Sequence, residues 1–116
     1  MAKAKYLYIL EGQTPVPVED ALVWGTWFES HIQERIVKQD NITDEIRVST
    51  VFVSIDQGYS WMSGNPDYEP LLFETLIIGG PEDGYRLRYS TWKGAEHGHD
   101  KVVQLVREKL AEEKKK

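Results

Sequence analysis

The sequence predicts an α+β fold: an antiparallel sheet of three to four strands with two helices, in the order β-α-β-β-β-α. Two long runs, Ile46–Ile55 and Leu71–Ile78, are rich in β-branched and aromatic residues and read as strands. The second joins a short strand, Tyr85–Tyr89, through Pro81-Glu82-Asp83-Gly84, a hairpin turn in which Gly84 is free to take a positive φ. A stretch with apolar residues three and four apart lies on each side of this set. Hairpin-linked strands flanked by helices favour an antiparallel layer packed by helices.

Taken in order, Tyr6-Leu7-Tyr8-Ile9-Leu10 is a first strand ended by Glu11-Gly12, and its place in the sheet is open. Thr14-Pro15-Val16-Pro17 is stiff and extended, because each proline biases the residue before it away from helix. From about Val18 the pattern turns helical. Ala21, Trp24, Phe28 and Ile32 form a stripe that Val23 and Trp27 widen, so the aromatics here are assigned to the core. Gly25 within it predicts a close contact, since glycine otherwise weakens a helix. The helix is expected to end before Asp40-Asn41, after the polar run Gln33-Glu34-Arg35. In Ile46–Ile55 one face carries Ile46, Val48, Thr50, Phe52 and Ser54, and the other Arg47, Ser49, Val51, Val53 and Ile55. Neither face is uniformly polar, which predicts a central strand covered on both sides for part of its length. Ser90 or Thr91 caps the last helix. Its stripe is Trp92, Ala95, His99, Val102, Val106 and Leu110, and small Gly94, Ala95 and Gly98 let its first turns approach the sheet. Residues 111–116 are a charged, fraying tail.

The 116 residues form one domain, 1–116, with room for a single core. There is no cysteine, so neither a disulfide framework nor a thiolate metal site can form. The N-terminal apolar run is too short for a signal-peptide core or a membrane span, and a cytoplasmic protein without membrane contact is expected. A net charge of −5 opposes binding to long nucleic acid, whose affinity rests on phosphate neutralisation. The local balance differs: between Gly84 and Lys93 stand three cations and no acid.

That stretch supplies the candidate ligand-binding residues. Arg86 and Arg88 precede a helix start at Ser90-Thr91-Trp92, where open N–H groups favour an anion and the Trp92 ring can stack on a planar group. Glu74 lies mid-strand among Leu72, Leu76 and Ile78 and requires a partner. A neighbouring strand can supply one such as Arg47, the register being unreadable in the sequence, and Arg47 joins the ligand-binding set. The expected hairpin puts Tyr85, Leu87 and Tyr89 on the face of Glu74, with Arg86 and Arg88 opposite. The long loop Gln57–Pro70 carries Tyr59, Trp61 and Tyr68 without a regular period, so these either fold back as a lid or face a partner protein. Glu96-His97-Gly98-His99-Asp100 resembles a metal cluster, yet residues two apart on a helix diverge. His99, on the apolar stripe, reads as a hydrogen-bonded core histidine. No catalytic signature, metal site or cofactor motif is found.

The segments VSTVFVSID, LLFETLIIGGPEDG and YRLRYSTWKGAEHGH, with Trp24, Trp27, Phe28 and Glu29 upstream, resemble a widespread family of small uncharacterised proteins of tailed phages and prophages. The resemblance spans about residues 6–106 in one order, although the Gln57–Pro70 loop is longer and more aromatic than the family pattern. It implies an accessory role in the cytoplasm of a bacterial host and brings no established activity. Three functions follow. The first is non-catalytic sequestration of a small anionic, nucleotide-like ligand. The second is inhibition or assembly of a host or phage protein. The third is a metal-dependent nucleotide hydrolase or nuclease using Glu74, His97 or His99. A homo-oligomer is compatible with each.

Overall fold

The computed structural model describes residues 6–58, 64, 67 and 69–114. Along them run β1 (Tyr8–Glu11), β2 (Thr14–Pro17), α1 (Ala21–Ser30), β3 (Ile36–Asn41), β4 (Arg47–Phe52), β5 (Phe73–Ile78), β6 (Arg86–Tyr89) and α2 (Trp92–Lys114). The class is α+β, with two antiparallel sheets: a β1-β2 hairpin, and four strands in the order β3-β4-β5-β6. The first strand, left unplaced by the sequence, pairs with the Thr14–Pro17 segment; Leu7 bridges to Ile55 beyond the end of β4, Tyr8 N–H donates to Ser54 C=O at 2.9 Å, and Leu10 packs with Phe52 and Phe73 of the larger sheet. No helix among the described residues is long and apolar enough to cross a membrane.

The first helix is shorter than its stripe predicts. Asp20 caps it by accepting from the N–H groups of Leu22 (2.8 Å) and Val23 (3.3 Å), and His31 leaves helical geometry at φ −123°, ψ 43°. Residues 36–39, expected to finish the helix, belong instead to an edge strand that runs on through Asp40 and Asn41. The β-branched pair Ile36-Val37 starts it, and Thr43 closes the turn to β4, its hydroxyl accepting from the N–H groups of Glu45 and Ile46 at 3.1 Å each. Only part of the α1 stripe is core. Trp27 meets Phe52 edge-on at 6.0 Å, no α1 residue is fully buried, and Ile32 is exposed. Gly25 makes no close contact, since a Cβ built there meets nothing within 4 Å.

Register fixes which side of the large sheet each residue serves. Val48 lies opposite Ile77, Thr50 opposite Thr75 and Phe52 opposite Phe73, and these six face α2 and are buried. Ala95, Val102, Val103 and Val106 of α2 complete this interior, while Gly98 admits the Tyr89 ring: a Cβ at Gly98 would lie 2.1 Å from Tyr89 Cε1. Each fully buried Phe contributes about 1.5–3 kcal/mol by leaving water. The interior splits into two apolar clusters, one around Phe52, Phe73, Leu10, Leu72 and Ala95, the other around Val48, Ile77, Val102 and Val106. The row Thr50–Thr75 lies between them, with His99 above it.

β4 is central, as predicted. No helix among the described residues lies over its second face, where Ser49 is buried, Val51 half-buried and Arg47 exposed, so cover on both sides holds for part of its length. This helix-free face carries Gln39 and Asn41 from β3, Arg47, Ser49 and Val51 from β4, Glu74, Leu76 and Ile78 from β5, and Arg86 and Arg88 from β6.

Candidate functional site

Pairing of β5 with β6 brings the arginines to the carboxylate from which the sequence separated them. Glu74 lies opposite Arg88 and Leu76 opposite Arg86, so all four share the helix-free face. The reason is the connection. Gly84 N–H donates to Ile77 C=O (2.8 Å) and Ile77 N–H to Tyr85 C=O (3.0 Å), a register that sets Tyr85 level with Ile77 and turns Leu87 and Tyr89 toward α2. Gly79 (φ 86°), Gly80 (φ 74°) and Gly84 (φ 89°) make the turn possible.

Glu74 Oε1 stands 3.7 Å from the Nε of both Arg86 and Arg88. The carboxylate side chain is only 16% exposed, against 55% and 39% for the two arginines, and its Oε1 accepts no aligned hydrogen bond. At 3.7 Å the contacts are charge attraction rather than bidentate bonding, so most of the five N–H donors of each guanidinium stay unused. Arg47 sits across the same face, its Nε–H donating to Asn41 Oδ1 at 3.0 Å. Two guanidinium groups thus flank one carboxylate, and Arg47, level with Ile78 and bonded to Asn41 instead of Glu74, stands further along the same face, which also shows Leu76 and Ile78. This positive surface belongs to a chain of net charge −5.

The remaining sequence-predicted residues are elsewhere. Thr91 caps α2, its hydroxyl accepting from Gly94 N–H at 3.0 Å and its carbonyl from Ala95 N–H at 3.0 Å. Trp92 packs edge-on against Phe73 at 6.0 Å, on the α2 side. The helix start, with Ser90 and Thr91, and the arginine tips therefore lie on opposite sides of the sheet, and the structure does not join them into one cradle. Tyr59, Trp61 and Tyr68 fall outside the described residues. The base of their loop is tied: buried Asp56 accepts at Oδ1 from the N–H groups of Gly58 and Leu71, 2.9 Å each, and Gln57 N–H donates to Leu71 C=O at 2.8 Å. Asp56 also adds to burial in raising the Tyr8 phenol above its ordinary value.

A second constellation was not legible as a unit. His99, fully buried, places Nε2 2.7 Å from Asp40 Oδ2 and Nδ1 2.7 Å from Thr50 Oγ1, which lies 2.5 Å from Thr75 Oγ1. An ionised Asp40 can only accept, so a neutral His99 donates from Nε2 and accepts at Nδ1. Thr50 then donates to His99, and Thr75 donates to Thr50. Tyr89 ends the row. Its phenol is raised by burial, while the Thr75 hydroxyl beside it pulls the other way without reaching aligned hydrogen-bond geometry. The signal in the sequence is that Thr50, Thr75 and His99 each interrupt an apolar inward stripe at the same level. Asp40 had none, because its strand was read as helix.

Asp40 opens into a groove of about 570 Å³ between β3 and α2, also lined by Lys38, Asp100, Gln104, Arg107 and Glu108. Its charges are largely spent internally. Lys38 Nζ donates to Asp100 Oδ1 at 2.6 Å, which holds Asp100 below the usual carboxylate range and raises Lys38, and Gln104 donates to Glu108 at 3.1 Å. His97 is exposed where His99 is buried, so the two diverge as the helical spacing requires. No group of three or more His, Asp or Glu side chains among the described residues is placed to hold an ion. Comparison with family models, with curated proteins and with solved structures finds no match for this chain.

Proposed function

We propose that this chain is a non-catalytic binding protein that docks an acidic partner protein on the helix-free face of its four-stranded sheet. The observation that carries the reading is the pair Arg86 and Arg88 beside the Glu74 carboxylate, with guanidinium donors left over and Arg47 further along, on the side of the sheet that no described helix covers. The surface is one face of a sheet and mixes charge with Leu76 and Ile78, a combination that suits another macromolecule better than a small molecule needing enclosure. Screening over about 8 Å at physiological salt lets this local positive charge act despite the acidic remainder of the chain. The Asp40–His99–Thr50 chain has the order of an acid–base–nucleophile set, but Thr50 is fully buried, so no substrate reaches its hydroxyl. The family resemblance supplies the setting, an accessory protein of a tailed phage acting on a host or phage protein in the bacterial cytoplasm.

The second reading keeps the same arginines for a small anionic, nucleotide-like ligand, and the unused guanidinium donors favour it. One experiment separates the two. Poly-L-glutamate and a panel of nucleoside mono-, di- and triphosphates are titrated into the wild-type chain and into the Arg86→Glu/Arg88→Glu variant. Docking of an acidic partner gives salt-sensitive binding of the polypeptide that the variant loses. Binding of a nucleotide with no response to polyglutamate selects the second reading. Binding that the variant retains moves the site off this face.

A further inference from the structure

We propose that the acidic partner adds to this protein as a fifth strand along the free edge of β6. This rests on the docking reading above and specifies its mode. In the order β3-β4-β5-β6, one side of β6 is unpaired among the described residues. Tyr85, Leu87 and Tyr89 lie opposite Ile77, Thr75 and Phe73, and the carbonyls of Tyr85 and Tyr89 accept from the N–H groups of Ile77 and Leu72 at 3.0 Å each. Backbone direction alternates along an antiparallel strand, so the N–H and C=O groups of Arg86 and Arg88 point away from the sheet. An arriving strand therefore meets two donors and two acceptors in line. It also meets the side chains of the same two residues, standing on the helix-free face beside Glu74.

The charges select the occupant. Two β6 edges from two copies would set arginine beside arginine, which is destabilising, so a second copy is not the partner. Short, charged edges normally blunt unwanted pairing. Here the same device is selective: it rejects basic strands and its own copy, and attracts a strand with carboxylates at the positions that flank Arg86 and Arg88. The opposite edge lacks this. β3 carries a bulge between Ile36 and Lys38, and its helix-free side chains Gln39 and Asn41 are uncharged. Strand addition gives affinity through the main chain and specificity through alternate side chains, and an acidic, alternating β-segment meets both requirements.

The test uses the full chain and a decapeptide of five Glu-Val repeats, with a five-repeat Lys-Val peptide and a Glu-Val peptide N-methylated along one backbone edge as controls. Binding is followed by amide chemical shifts and hydrogen exchange. The proposal predicts that the Glu-Val peptide shifts and protects the Arg86 and Arg88 amides, that the Lys-Val peptide has no effect, and that N-methylation weakens binding about tenfold, as expected from losing two backbone bonds. Arg88→Pro, which removes an outward N–H the sheet does not use, is expected to weaken binding to a similar extent. If the N-methylated peptide and Arg88→Pro bind as well as their parents while Arg86→Glu/Arg88→Glu abolishes binding, edge addition is overturned and face docking stands. If the charge reversal also has no effect, both are overturned.

Discussion

Replacing Thr50 by Val tests the direction of the buried hydrogen-bond row. Val matches Thr in shape and strand preference, so the change reports mainly on the hydroxyl. In the assigned order Thr50 donates to His99 Nδ1 and accepts from Thr75, at 2.7 and 2.5 Å inside a site with no water access. Thr50→Val leaves two buried groups without partners, His99 Nδ1 and the Thr75 hydroxyl. At about 1–3 kcal/mol per orphaned group, eased by the better burial of Val, a loss of about 2–4 kcal/mol is expected. Thr75→Val leaves Thr50 still donating to His99 and is expected to cost only about 0.5–1.5 kcal/mol. The double variant orphans Nδ1 alone, so it should be no less stable than Thr50→Val. Thr75→Val is thus destabilising by itself and neutral or stabilising once Thr50 is Val. Urea denaturation of the four proteins measures this against a typical domain stability of about 5–15 kcal/mol. Additive costs, or a larger cost for Thr75→Val than for Thr50→Val, refute the assigned direction.

Three further outcomes follow. Gly25→Ala is expected to raise stability by up to about 1 kcal/mol in thermal or chemical melts, because its Cβ meets nothing within 4 Å and the helix gains propensity. Gly79→Ala should instead prevent the native turn, measured as loss of the cooperative unfolding transition: a Cβ there lies 1.8 Å from the Glu45 carbonyl oxygen, at φ 86°. Tyr89 titrates above the ordinary phenol value of about 10, with burial as the main cause. A raised phenol contributes stability that is complete below pH ~10 and is lost as pH rises through the folded value. Absorbance of the phenolate and alkaline unfolding should both lose this contribution in Tyr89→Phe.

The sequence was most informative where one residue type repeats at a clear period. The strands β4, β5 and β6 and the second helix appear where β-branched runs and the Trp92–Leu110 stripe place them. His99 is the hydrogen-bonded core histidine its stripe position implied. The failures have local causes. Ile36–Asn41 offers two β-branched residues before four polar ones, since an edge strand beside a charged stretch of helix buries little, and this reads as a fraying helix end. Side assignment of the arginines depended on a single residue of register. Seven residues, Gly79–Tyr85, join β5 to β6, and a one-residue slip in that connection moves every side chain to the other face. The three positive-φ glycines of the turn, Gly79, Gly80 and Gly84, decide it, not the strand sequence. Cooperation among Asp40, His99, Thr50 and Thr75 spans three strands and a helix, and no linear pattern encodes it.

That register slip also changes the functional picture. With Arg86 and Arg88 turned away from the helix start, the cationic surface is an open sheet face rather than an anion cradle, and its neighbours are Glu74, Leu76 and Arg47. The β3–α2 groove is the rival surface, with Lys38 and Arg107 as its cations. Side-chain Nε–Hε resonances of the arginines, recorded while poly-L-glutamate is added, distinguish them directly. The account predicts that signals of Arg47, Arg86 and Arg88 move together and saturate while Arg107 stays fixed. Movement confined to Arg107, with the three sheet arginines unchanged, contradicts it.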